Sequence, residues 1–104
     1  MKKIMNEKVY DTDKAEKIAD IGFSNKGDFA YWSDELMKTK RGNWFLYCGG
    51  GPTSMYAESV GNNSTTGSEH LRELSAEEAV DWLIENNKVE ALEKHFPERM
   101  PEDA

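Results

Sequence analysis

The strongest periodicity in the chain begins at Ser75. Ala76, Ala79, Val80, Leu83 and Ile84 recur at helical spacing, with Glu77, Glu78, Asp81 and Glu85 on the opposite face and Trp82 at the margin. Ser75-Ala76-Glu77-Glu78 is a capping box, in which the serine side chain accepts from the third residue's N–H and Glu78 reaches back. Asn86-Asn87 ends this helix. A shorter one follows, with Val89, Leu92 and Phe96 inward, and Pro97 stops it. Residues 98–104 are polar and expected to fray.

Strand patterns occupy the earlier chain. Residues 44–48, Trp-Phe-Leu-Tyr-Cys, are apolar on both faces, as a strand covered on both sides would be. Lys40-Arg41-Gly42-Asn43 before them is a turn with a glycine for positive φ, so residues 36–48 read as a β-hairpin. A second, shorter hairpin joins Lys3-Ile4-Met5 to Lys8-Val9-Tyr10 through Asn6-Glu7. Asp11 or Thr12 can cap a helix starting near Asp13, with Ala15, Ile18 and Ala19 on one face and Gly22 at its end. Residues 54–60 fit either a strand or a helical turn. Residues 61–68 read as loop, and 69–74 as one more strand with His70, Arg72 and Leu74 on one side. The fold class expected is α+β: a small antiparallel sheet packed against C-terminal helices, in one domain over residues 1–104.

Composition bounds the function. A chain of 104 residues with eleven aromatic side chains can bury one modest core. The single Cys48 excludes an intramolecular disulfide and a cysteine-cluster metal site. No apolar run approaches a membrane span, and the first residues lack the apolar stretch of a signal peptide, so a cytoplasmic location is expected. The net charge of −7 lies entirely in the last third. Up to Ser68 nine acidic residues balance nine Lys and Arg; from Glu69 on, eleven acidic residues face Arg72, Lys88, Lys94 and Arg99. Such a chain is poorly suited to direct nucleic-acid binding and better suited to meeting a basic surface.

Candidate chemistry is sparse. Gly49-Gly50-Gly51 follows an apolar strand, as a phosphate loop does. However, Pro52 removes a donor and no lysine follows, so no cofactor is expected there and the glycines serve to let the strand bend. His70 and His95 stand apart without metal-ligand spacing and read as surface side chains. Cys48 ends an apolar strand and reads as a packed thiol, not a nucleophile. No catalytic set emerges. What remains is protein recognition: the carboxylates Glu77, Glu78, Asp81 and Glu85, and the aromatic residues Tyr31, Trp32, Tyr47 and Tyr56, which serve equally as core or as anchors for a partner.

Four segments also carry a likeness. They are Lys3-Ile4 with Lys8-Val9-Tyr10-Asp11-Thr12; the run 38–47, Lys-Thr-Lys-Arg-Gly-Asn-Trp-Phe-Leu-Tyr; Gly50-Gly51-Pro52 with Ser54 and Tyr56-Ala57; and Leu74-Ser75-Ala76-Glu77-Glu78-Ala79 with Trp82-Leu83. On these the chain resembles small proteins encoded by phages and integrative or conjugative elements of Firmicutes, departing from them at Cys48-Gly49, where that group carries Gly-Glu. Small acidic proteins of such elements are often inhibitors of host defence, including anti-CRISPR proteins. The resemblance therefore implies a non-enzymatic protein that blocks a basic, nucleic-acid-handling partner, such as a CRISPR effector, by acidic steric occlusion. An accessory or regulatory protein of the mobile element is the alternative.

Overall fold

The computed structural model describes residues 1–23, 32–50, 58–59, 65–66 and 68–104. It is an α+β structure in layers. A four-stranded antiparallel sheet is built from β3 (Glu16–Phe23), β4 (Trp32–Lys38), β5 (Trp44–Gly50) and β8 (Ser68–Leu74), in the order β3-β4-β5-β8. Helices α1 (Ala76–Glu85) and α2 (Val89–His95) cover one face. The hairpin of β1 (Lys2–Met5) and β2 (Lys8–Asp11) covers the other. A short pair, β6 (Glu58–Ser59) with β7 (Thr65–Thr66), lies within the stretch read as undecided and as loop.

The central strand explains the layering. Side chains alternate across a strand, and β5 has apolar residues in both phases. Trp44, Leu46 and Cys48 join the core under the helices, with Leu36, Leu74, Ala79, Val80, Trp82, Leu83 and Leu92. Phe45 faces the other way, into a second cluster with Tyr10, Met37 and Leu71. Burial of β5 on both faces, expected from its composition, therefore needs two covers, and the N-terminal hairpin is the second. Tyr10 stacks edge-on against Phe45 at 5.3 Å and donates its hydroxyl hydrogen to Glu73 of β8. Burial, followed by that carboxylate, pushes the Tyr10 phenol up to about 12.

Both turns have the expected chemistry. Asn6 and Glu7 both adopt positive φ, 50° and 63°, the two-residue geometry whose twist suits a hairpin. At the other turn Gly42 sits at φ 88°, the Thr39 N–H donates to the Asn43 carbonyl, the Thr39 carbonyl accepts from the Gly42 N–H, and the Thr39 hydroxyl accepts from the Asn43 N–H.

The helix expected from Asp13 does not form. Asp11 makes a turn instead, its carboxylate accepting from the Asp13 N–H at 2.9 Å, and Glu16–Phe23 is strand β3. Ala19, Ile21 and Phe23 pair with Leu36, Asp34 and Trp32, a period of two. A register shift between Lys17 and Ala19 inserts Ile18 as an extra residue. Ile18 and Ala19 then both pack against the core under the helices, which imitates helical spacing. Gly22, expected as a helix stop, is paired with Ser33 inside the ladder.

Two further corrections concern the helices. Trp82 is buried, whereas Ile84 and Ala76 are exposed, so the buried stripe of α1 is Ala79, Val80, Trp82 and Leu83. Likewise Leu92 is buried in α2 but Val89 is exposed. The chain beyond Pro97 is held further than expected. Pro97–Arg99 forms a 3-10 turn and Met100 packs against the core, leaving residues 101–104 exposed.

Candidate protein interface

The acidic face of α1 is held by an unusually complete N-terminus. The Ser75 hydroxyl accepts from the Glu78 N–H at 3.1 Å, and the Ser75 N–H donates to Glu78 Oε1 at 3.0 Å. The expected capping box is thus present in both directions. It also commits Glu78: the hydrogen bonds from Ser75 hold its carboxyl below the usual range. At the far end Asn86 closes the helix, its side chain donating to the Trp82 carbonyl, and Asn87 turns the chain at φ 56°.

Glu77 is committed as well. Arg99 forks across it, Nη1 to Oε1 at 2.5 Å and Nη2 to Oε2 at 2.7 Å. This hydrogen-bonded guanidinium holds the Glu77 carboxyl low and is itself held charged. The four carboxylates of the expected array therefore divide. Glu77 and Glu78 fasten the helix to its cap and to the C-terminal turn. Asp81 and Glu85, one turn apart and both exposed, carry the outward charge, with Arg99 near enough to Asp81 to feel its field.

The aromatic set does not form one patch. Tyr31 and Tyr56 lie outside the described residues, as do Gly51 and Pro52. Trp32 is opposite Gly50, in phase with Leu36 and Leu46, on the helix side of the sheet. Tyr47 is opposite Glu35 and Leu71, on the hairpin side, where it packs against the second cluster. Both rings are half-buried. Gly49 and Gly50 continue β5 between β4 and β8, and their backbone belongs to the ladders.

Cys48 is buried in the helix-side core and His70 is exposed on β8. His95 differs from a surface histidine. It is half-buried and meets Trp44 edge-on at 5.7 Å, beside Phe96 at 5.0 Å from the same indole. Lys38 sits over the Trp44 ring at 5.2 Å. Burial, then the Lys38 charge, lowers the His95 pKa. Among the described residues no three His, Cys, Asp or Glu side chains converge as a metal site, and no helix is long and apolar enough to cross a membrane.

Sequence reasoning missed a basic cleft between the N-terminal hairpin and the turn at Gly42. Its cations come from positions 2, 8, 14, 40 and 41, which meet only because the hairpin folds over β5. The lysine-rich start was the available signal. No protein-family model matches this chain, nor does any curated protein or solved structure.

Proposed function

We propose that this protein is a non-enzymatic binding protein whose outer α1 face meets a basic surface on a nucleic-acid-handling partner and covers it. One observation carries this reading. Asp81 and Glu85 project from a helix fixed at its start by a reciprocal cap and tied to the C-terminal turn by the Arg99–Glu77 fork. Ordered carboxylates can compete for lysines and arginines without the entropy loss that a disordered acidic segment incurs. The surrounding charge supports it, since residues 75–104 hold nine carboxylates against Lys88, Lys94 and Arg99. The resemblance to mobile-element proteins supplies the setting: inhibition of a CRISPR effector in the bacterial cytoplasm. Expression in hosts carrying different CRISPR types, each challenged with a targeted plasmid, tests this. Protection against one type, lost on Asp81→Lys/Glu85→Lys, is the expected result. Failure to protect against any type would move the protein to an accessory role in the mobile element.

A further inference from the structure

Five cations, Lys2, Lys8, Lys14, Lys40 and Arg41, line the cleft of about 520 Å³ between the N-terminal hairpin and the turn at Gly42. All five are exposed. Among the described residues the ion pairs join Lys17 to Asp20 and Glu35, and Arg99 to Glu77, so none of the five has a carboxylate partner at ion-pair distance. Two carboxylates share the lining, Glu7 and Asp11. Asp11 is buried, and its Oδ1 accepts from the Asp13 N–H at 2.9 Å. A neighbouring hollow shares Lys8 and Asn43 and contains Glu73 and Glu78. Both of these are already engaged, Glu73 by the Tyr10 hydroxyl and Glu78 by the Ser75 N–H. The cleft therefore keeps an uncompensated positive charge, drawn from four separate segments of chain.

Charge alone would suit any polyanion, and two features narrow the choice. Val9, in the lining, is 65% exposed, and its direct cross-strand partner Ile4 is 74% exposed. An aliphatic pair beside a charged rim has the composition of a protein interface. A phosphate backbone has no apolar group to cover it. The one aromatic ring in the lining, Tyr10, is only 1% exposed and offers the bases of a single strand no stacking surface.

We propose that this cleft docks an acidic peptide segment of a partner protein. The segment's carboxylates meet the five cations, and an aliphatic side chain between them covers Ile4 and Val9. The site shares no residue with the outer face of α1. It does not rest on the host-partner reading, because it is tested on the purified chain.

Fluorescence anisotropy with a short fluorescein-labelled peptide of Asp, Glu and Leu is the experiment. The wild type should bind it saturably, and added salt should weaken binding. Lys40→Glu/Arg41→Glu should weaken it about tenfold or more while far-UV spectra and urea melts stay native. Val9→Ser, and separately Ser for Leu in the peptide, should each weaken it about threefold or more. If the double variant melts early, Lys14→Glu replaces it. Absence of saturable binding, binding unchanged by the charge variants, or indifference to both Ser replacements would overturn the proposal. So would tighter binding of labelled single-stranded or duplex DNA that is lost in Lys40→Glu/Arg41→Glu, which would make the cleft a nucleic-acid site. Asp81→Lys/Glu85→Lys should bind the peptide as the wild type does, and Lys40→Glu/Arg41→Glu should still protect a plasmid, so failure of this site and failure of the α1 face are read separately.

Discussion

Replacing Leu83 by alanine probes whether α1 is clamped to the sheet as described. Leu83 is fully buried, in one cluster with Leu36, Trp44, Leu46, Val80 and Leu92. Truncation removes three carbons, worth about 0.8 kcal/mol each or about 2.4 kcal/mol of lost transfer free energy. Neighbours on a paired central strand cannot collapse freely into the gap. A residual void of roughly 50 Å³ then adds about 1 kcal/mol at about 24 cal/mol per Å³. The expected loss is about 3–4 kcal/mol, a large share of the roughly 5–15 kcal/mol available to a domain of this size. Ile84→Ala is the internal control. It adjoins Leu83 in sequence, but its side chain is about half exposed, so it should cost under about 1 kcal/mol. Urea melts at constant m-value measure both. A Leu83→Ala loss below about 0.5 kcal/mol, or an Ile84→Ala loss as large as that of Leu83→Ala, would refute this placement of the helix.

Three further outcomes follow from the packing. Ser75→Ala should cost about 0.5–2 kcal/mol by removing the N-cap acceptor, measured by the same melts and by faster amide exchange at Glu78. Tyr10→Phe should cost about 1.5–3 kcal/mol, because it removes a hydrogen bond to a carboxylate; since the folded phenol is raised from 10.0 to about 12, the wild type should also lose more stability than the variant as pH rises through that interval. His95 has a folded pKa below its ordinary 6.5, so the unfolded chain takes up the proton more readily and stability should fall as pH drops below that value; the slope should flatten in His95→Gln, as followed by melts at successive pH values.

Local chemistry was legible in the sequence. The capping box at Ser75, the positive-φ glycine at Gly42 and the two-phase apolar strand at residues 44–48 each announce themselves within a few residues. What could not be read depends on distant segments meeting. A bulge at Ile18 imitates the helical period, because it sets consecutive residues on one side of the strand. The orientation of α1 depends on which of two neighbouring apolar residues, Trp82 or Ile84, meets the sheet, and periodicity leaves room for either. The Arg99–Glu77 fork spans 22 positions and the Tyr10–Glu73 hydrogen bond 63. The first removes one carboxylate from the acidic array, and the second fastens the hairpin over the sheet. The aromatic residues Trp32 and Tyr47 look alike in sequence, yet strand register sends them to opposite faces.

Whether the outer face of α1 is an interface is decided most directly by titrating the purified chain against the CRISPR effector that plasmid protection identifies. Asp81→Lys/Glu85→Lys is the informative variant. Reversal at Glu77 or Glu78 would also break the Arg99 fork or the N-terminal cap. The expected result is at least tenfold weaker binding, more than about 1.4 kcal/mol, with an unchanged urea midpoint. A double variant that binds the effector as tightly as the wild type would show that these carboxylates only face water.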